Sequence, residues 1–387
     1  MHLKELIPFE LQVFIAGVLA FLISYMLIPR IVVLSREKKL MANPVSRSSH
    51  DSPVPNLGGV GIYFAFMIPM LLLAGLNESK ILPFLTLSCI IIFLIGIKDD
   101  IYVIAPKTKL MGQIAAGLIM IVFANVRITN LHGIMGIGEI PYIVSLLFSL
   151  FIYVAITNAI NLMDGIDGLA ASLGIVACLG MGVYFIHLHK INGSVACASL
   201  MGALSAFLIF NYAKGDRKTF MGDTGALMVG FILSTYAILF NEFSITEPKS
   251  LVIQSAPVVS IAILAIPIFD TIRVFTLRIL RGKSPFSADK THIHHELIAN
   301  GYTHHQATTL ISAFSICLIL MIYHLQDKIG LYPLLFVLIG SVALFYIVPF
   351  TFIYRQLDLV NRTKRYFKRR YHQTIRIFNF SDKKHKH

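Results

Sequence analysis

The stretch at residues 81–100, ILPFLTLSCIIIFLIGIKDD, decides the fold. Its first seventeen residues contain no Asp, Glu, Lys, Arg or His, and Lys98, Asp99 and Asp100 then follow without a spacer. At about 1.5 Å per residue such a run approaches the ~30 Å of bilayer hydrocarbon, and its continuity suits a helix better than the alternation of a barrel strand. Working outward, windows of about nineteen residues mark roughly eleven such spans, near 11–29, 57–76, 81–97, 110–126, 141–157, 169–188, 194–210, 226–241, 251–269, 307–323 and 331–353. Composition agrees: 56% of residues are hydrophobic and 14% charged, where a soluble domain carries roughly a quarter charged. Mean hydropathy is +0.75. Soluble, disordered and collagen-like chains are excluded, and an all-α, polytopic membrane bundle is expected.

Charge sets the direction. Of 33 Lys and Arg residues, 27 fall in the segments that follow odd-numbered spans or in the tail. By the positive-inside rule this puts the N-terminus outside and the C-terminus in the cytoplasm. Residues 1–354 read as the membrane domain and 355–387 as a basic cytoplasmic tail, whose Lys and Arg residues are expected to lie on the anionic leaflet. Net charge is +13, and membrane lipid, not nucleic acid, is the expected partner. The first apolar run has no basic flank or cleavage signature and reads as a retained span. Cys89, Cys178, Cys197 and Cys317 lie in apolar runs without metal or disulfide spacing.

The acids obey the same parity. Asp99, Asp100, Asp164, Asp167, Asp216, Asp223, Asp270 and Asp289 all follow odd spans and so share one membrane face. Ionised groups beside hydrocarbon are costly and tend to mark function, so one polar site assembled from several loops is expected. Four segments carry it. In GIKDDIYVIAPKTKLMGQ, Asp99 and Asp100 follow a span and Lys107 and Lys109 precede the next, which suits a phosphate or metal site. In NAINLMDGIDGLAA, Asn158, Asn161, Asp164 and Asp167 recur every three residues, which keeps them on one side of a helical turn. In KGDRKTFMGDTGAL, Asp223 on a glycine-flanked turn is a candidate hard-cation ligand, with a plain helix cap as the alternative. In FDTIRVFTLRILRGKSPFSADKTHIHHEL, Arg273 and His292, His294 and His295 suit an anionic ligand. Zinc is the competing reading there, but Ala299 stands where the second His of HExxH would be.

Together and in this order the four segments resemble the polyprenyl-phosphate N-acetylhexosamine-1-phosphate transferases, most of all the undecaprenyl-phosphate N-acetylglucosaminyl branch. The resemblance runs from NPVSRSSHDSPVPNLGGVGIY to HIHHEL. HIHH departs from the three consecutive histidines of the phospho-N-acetylmuramoyl-pentapeptide branch. The resemblance implies that Asp223 binds Mg²⁺ (Mn²⁺ being an alternative) with Asn161 near the same ion. It implies that Asp99 and Asp100 line the catalytic centre and that Lys109 faces the phosphates. Asn158, Asp164, Asp167, Asn211 and Phe220 fall to the substrate side, Phe220 as a stacking partner for uracil, while His292, His294 and His295 with Arg273 hold diphosphate and sugar.

The implied reaction passes N-acetylhexosamine-1-phosphate, GlcNAc-1-phosphate first among candidates, from a UDP-sugar to polyprenyl phosphate with release of UMP. The setting is the bacterial inner membrane, with a cytoplasmic active site and a homodimer left open. Two other classes stay in view. A secondary transporter would show internal repeats and midplane charges, whereas these acids lie at span ends. A CDP-alcohol phosphotransferase would need an Arg that DGIDGLAA lacks.

Overall fold

The computed structural model describes residues 7–38, 40, 54–77, 79–284 and 291–347. The basic tail lies outside the described residues. The chain divides into two compact units, Met1–Leu338 and Ile339–His387, and everything bearing on the site lies in the first. Among the described residues the structure is helical, with no strand beyond isolated bridging such as that between Asn130 and Glu139.

A helix lies at each of the eleven expected positions. The first eight are α1 (Phe9–Glu37), α2 (Gly58–Pro69, prolonged by tighter and wider turns to Asn77), α3 (Leu82–Tyr102), α4 (Pro106–Val122), α5 (Tyr142–Met163), α6 (Leu169–His187), α7 (Ile191–Asn211) and α8 (Gly222–Thr246). They are followed by α9 (Ala256–Ile263), α10 (Ala265–Leu280), α11 (Ile293–Ala299), α12 (His304–Leu325) and α13 (Leu331–Ile347). Among the described residues eight helices are long and apolar enough to cross a membrane: α1, α2, α3, α5, α6, α7, α8 and α12.

Two expectations are corrected. The span expected at 110–126 is α4, which starts at Pro106 and has 17 residues. The span expected at 251–269 is a pair, α9 and α10, bent by 77°. The cause lies in the sequence: Pro267 has no N–H to give the Ile263 carbonyl, so the ladder breaks near Leu264. Of the span expected at 331–353, a helix covers Leu331–Ile347, and the rest lies outside the described residues.

Burial ranks the helices. In α8, 89% of the apolar window is buried, against 28% in α1. An all-round apolar helix belongs at the centre of a bundle, and α8 packs against α2, α3, α5, α6 and α9. Close crossing needs small residues at the contacts: a Cβ on Gly96 of α3 would stand 2.4 Å from Thr224 Cα. α1 packs on α7 and turns Phe14, Leu22 and Met26 outward.

Candidate active site

The buried helix α8 starts beside the end of α3, and that junction organises the site. Gly222 opens α8 with φ +70°, a left-handed conformation that glycine adopts without strain. The first N–H groups of a helix lack partners within it. Here Asp100 supplies them from another helix: Oδ1 accepts from Asp223 N at 2.8 Å, and Oδ2 from Thr224 N at 3.0 Å and Thr224 Oγ1 at 2.5 Å. Asn56 donates to Oδ1 as well, at 3.3 Å. Both oxygens of Asp100 are therefore engaged in holding the start of α8.

With α8 held, Asp223 faces its partners. Lys109 Nζ bridges two carboxylates, lying 2.5 Å from Asp99 Oδ2 and 2.8 Å from Asp223 Oδ1. Asn161 Nδ2 donates to the same Asp223 oxygen at 2.7 Å. Asp99 also accepts from Ile104 N at 2.7 Å, which fixes the turn between α3 and α4. Asp99 is 7% exposed, whereas the Asp223 side chain is 31% exposed and open to a ligand.

The spacing of three carries only part of the second segment onto one helix face. α5 ends at Met163, so Asn158 and Asn161 sit on it while Asp164 and Asp167 lie in the turn before α6. Asn158 faces Gln113 of α4 in a reciprocal amide pair, Asn158 Nδ2 donating at 2.6 Å. Asn211 ties two segments together by accepting from Gly168 N at 2.6 Å and donating to Thr219 O at 2.9 Å. Asp164 has no hydrogen-bonding side-chain partner among the described residues. Burial, and then the carboxylates of Asp223, Asp100 and Asp167, push its carboxyl well above the usual range. Asp167 goes the other way. Burial alone would raise it, but His304, 3.2 Å away, and Lys218, at 2.6 Å, outweigh that and hold it below the usual range. Lys218 Nζ also lies 5.6 Å from the centre of the Phe220 ring.

The histidine segment closes over the same turn. A Cβ on Gly165 would stand 2.2 Å from His294 Nε2, so only glycine admits this ring. Both ring nitrogens of His294 are buried without a partner. Burial, and then His295, push His294 down to about 3, so its imidazole is neutral near pH 7. His294 lies 4.3 Å, centre to centre, from the ring of His295. His292 Nδ1 meets Asp270 Oδ2 at 2.7 Å, and Arg273 bridges Asp270 and Glu296. Among the described residues no three His, Cys, Asp or Glu side chains converge as a metal-ligand set.

The sequence reading counted Asp270 among the acids of the shared face without giving it a role, and passed over Lys218, Gln113 and His304 as site residues. Asp270 and Lys218 stood inside quoted segments, and their signal was an acid or base within a span or against its start. Gln113 closed the first of those segments without being given a role, and His304 stood outside all four. A glutamine inside an apolar run, buried in the structure at 2% exposure, was the available sign of a polar partner.

A family model, Glycosyl transferase family 4, matches residues 82–241, which run from α3 into α8 and hold Asp99, Asp100, Lys109, Asn161 and Asp223. The chain is 31% identical over 320 residues to the decaprenyl-phosphate N-acetylglucosaminephosphotransferase of Mycolicibacterium smegmatis, covering 77% of this chain and 78% of that one. The chain belongs to glycosyl transferase family 4. A second family 4 relative, the undecaprenyl-phosphate alpha-N-acetylglucosaminyl 1-phosphate transferase of Escherichia coli O157:H7, is 30% identical over 287 residues, 72% of this chain and 74% of that one. The Mycobacterium leprae decaprenyl-phosphate enzyme is 29% identical over 320 residues, 77% and 79% of the two chains. Their names differ in the prenyl chain and agree on the sugar.

Proposed function

We propose that this chain transfers N-acetylglucosamine-1-phosphate from UDP-N-acetylglucosamine to a polyprenyl phosphate at the cytoplasmic face of the bacterial inner membrane. The products are UMP and the first lipid-linked intermediate of a cell-surface glycan. The observation that carries the reading is the bridge of Lys109 between Asp99 and Asp223, with Asn161 on the same Asp223 oxygen, in a chain whose relatives are named for this transfer.

Charge balance supports a cation. Asp99 and Asp223 face one ammonium, Lys109, and a diphosphate brought to this net negative cluster would be repelled. Mg²⁺ is commonly held by one or two carboxylates together with substrate phosphates and water, not by an all-protein cage, and the donors here fit that habit. Asp223 with the amide of Asn161 would hold it, and Mn²⁺ would serve in its place. Bound there, the ion would offset charge on the phosphoryl oxygens.

The chain's own residues do the rest. Lys109, anchored by Asp99, donates to phosphate oxygens once a ligand draws it from Asp223. Asp100 keeps Asp223 in place through the first N–H groups of α8. A terminal oxygen of the lipid phosphate attacks the β-phosphorus of the UDP-sugar, and the bond to the bridging oxygen breaks with its electron pair leaving on UMP. The acceptor is largely dianionic at neutral pH, its second pKa being about 6, so positioning and electrostatics are the main requirements.

The test is UMP release by purified protein with undecaprenyl phosphate, Mg²⁺ and a panel of UDP-sugars. UMP with UDP-N-acetylglucosamine and not with UDP-glucose is expected. Absence of lipid-dependent UMP release with every UDP-N-acetylhexosamine would overturn the reading.

A further inference from the structure

Asp270 is fully buried, at 0% exposure, in α10. An isolated buried carboxylate is costly unless its oxygens are well bonded, and this one is bonded throughout. Oδ1 accepts from Arg273 Nη2 at 3.0 Å and Ile293 N at 3.2 Å, while Oδ2 meets His292 Nδ1 at 2.7 Å. Arg273 in turn donates to Thr291 O at 2.5 Å. One carboxylate thus fixes the backbone on both sides of His292 and the ring itself.

The ring's other nitrogen differs. His292 is 4% exposed, yet Nε2 has no partner. A histidine serving only to anchor a segment would have both nitrogens satisfied, because an unpaired buried polar atom is costly. The carboxylate on Nδ1 settles which nitrogen carries the fixed proton, and leaves Nε2 as the atom that meets a ligand. The neighbouring ring of His294 lies nearly parallel, 14° away in plane and 5.7 Å between centres, with both its nitrogens open as well.

We infer that Asp270 is a positioning residue: it holds His292 with the proton on Nδ1, so that Nε2 presents its lone pair as the acceptor for a hydroxyl or amide N–H of the substrate's sugar. This rests on the proposed transfer for the identity of the ligand, but the tautomer does not depend on it.

The experiment uses the full chain in lipid nanodiscs. Nitrogen-15 NMR of histidine-labelled resting protein, with His292 assigned through His292→Asn, should show the proton on Nδ1 in the parent. Asp270→Asn should redistribute it. A proton on Nε2 in the parent overturns the inference whether or not the protein releases UMP. Kinetics give the second readout. Asparagine reproduces the Nδ1 position and can still donate to Asp270, so His292→Asn should fold normally, lose 100-fold or more in kcat, and change KM for the UDP-sugar less than 10-fold. Asp270→Asn should lose at least 10-fold in kcat, and the double variant should be no more than 3-fold worse than His292→Asn alone. Losses that multiply, or a His292→Asn kcat within 3-fold of the parent, would reduce Asp270 to a structural anchor and overturn the inference. If Asp270→Asn does not fold, the His292→Asn result and the parent's tautomer decide it.

Discussion

Asp223 Oδ1 carries two donors, Lys109 and Asn161, and belongs to the more exposed of the two carboxylates that Lys109 joins. Asp223→Asn removes the charge with little change of shape. UMP release should fall by about 10³-fold or more, the scale at which loss of a principal electrostatic group is felt. The protein should stay folded, because the side chain is partly open to water; near-normal UMP release at low Mg²⁺ would defeat the assignment. Asn161→Ala, which removes a neutral donor, should cost less. His294 supports a prediction about pH. Its folded value of about 3 lies below the ordinary value of 6.5, so as pH falls below about 6.5 the unfolded chain takes up a proton that the native site refuses. Native stability should then fall by up to about 1.4 kcal/mol per pH unit. Asp167 adds to this only at lower pH, because its depressed carboxyl contributes stability above its unfolded pKa and loses it as pH falls through the folded one. Melting temperatures of ligand-free protein between pH 7 and 5 should therefore drop more steeply in the parent than in His294→Gln; parallel curves would exclude His294 as the cause.

At the scale of elements, the site depends on how α3 meets α8. Asp100 caps α8 across a helix–helix contact, and a Cβ at Gly96 would collide with Thr224 backbone. Asp100→Asn leaves one oxygen to accept and turns an N–H donor toward other donors. A lost cap costs about 0.5–2 kcal/mol, and a displacement of Asp223 near 1 Å could cost on the order of 100-fold in turnover. Asp100→Asn should thus lose far more in kcat than in melting temperature, whereas Gly96→Ala, which forces the helices apart, should lose both. Equal kcat for Asp100→Asn and the parent would detach Asp100 from the site. The elements also show what a sequence can and cannot tell. Asp99, Lys109 and Asp223 were legible because charge against the end of an apolar run has few bland explanations. The split of the two adjacent acids, one toward Lys109 and one toward the start of α8, was not, since it depends on which helix crosses α3. Asn158 with Gln113, and Asp270 with His292, escaped for the same reason: their partners are 45 and 22 residues away, and no local period links them. The bend at Leu264 did have a local sign, Pro267, set within an apolar run that read as one straight span.

For the bundle as a whole, direction in the membrane decides whether the site meets nucleotide sugar or the outside. The acids of the site gather where α3 and α5 end and α8 begins, and the proposed function needs that end, by the Lys and Arg count the expected cytoplasmic one, to face the cytoplasm. Two exposed lysines test this with one helix between them. Lys214 lies in the loop before α8, on the side of the site, and Lys249 lies just past its far end. The 25 residues of α8 separate the two ends by about 37 Å, more than the hydrocarbon thickness, so one reagent cannot reach both from one side. Of the native cysteines, Cys89, Cys178 and Cys197 are buried and Cys317 is exposed, so a Cys317→Ser background leaves little competing label. In intact cells, Lys249→Cys should react with a membrane-impermeant maleimide, while Lys214→Cys should react only after permeabilisation. The reverse pattern would place the Asp99–Lys109–Asp223 cluster on the outer face, away from any pool of nucleotide sugar, and the proposed donor would have to be abandoned even if the geometry of the site stood.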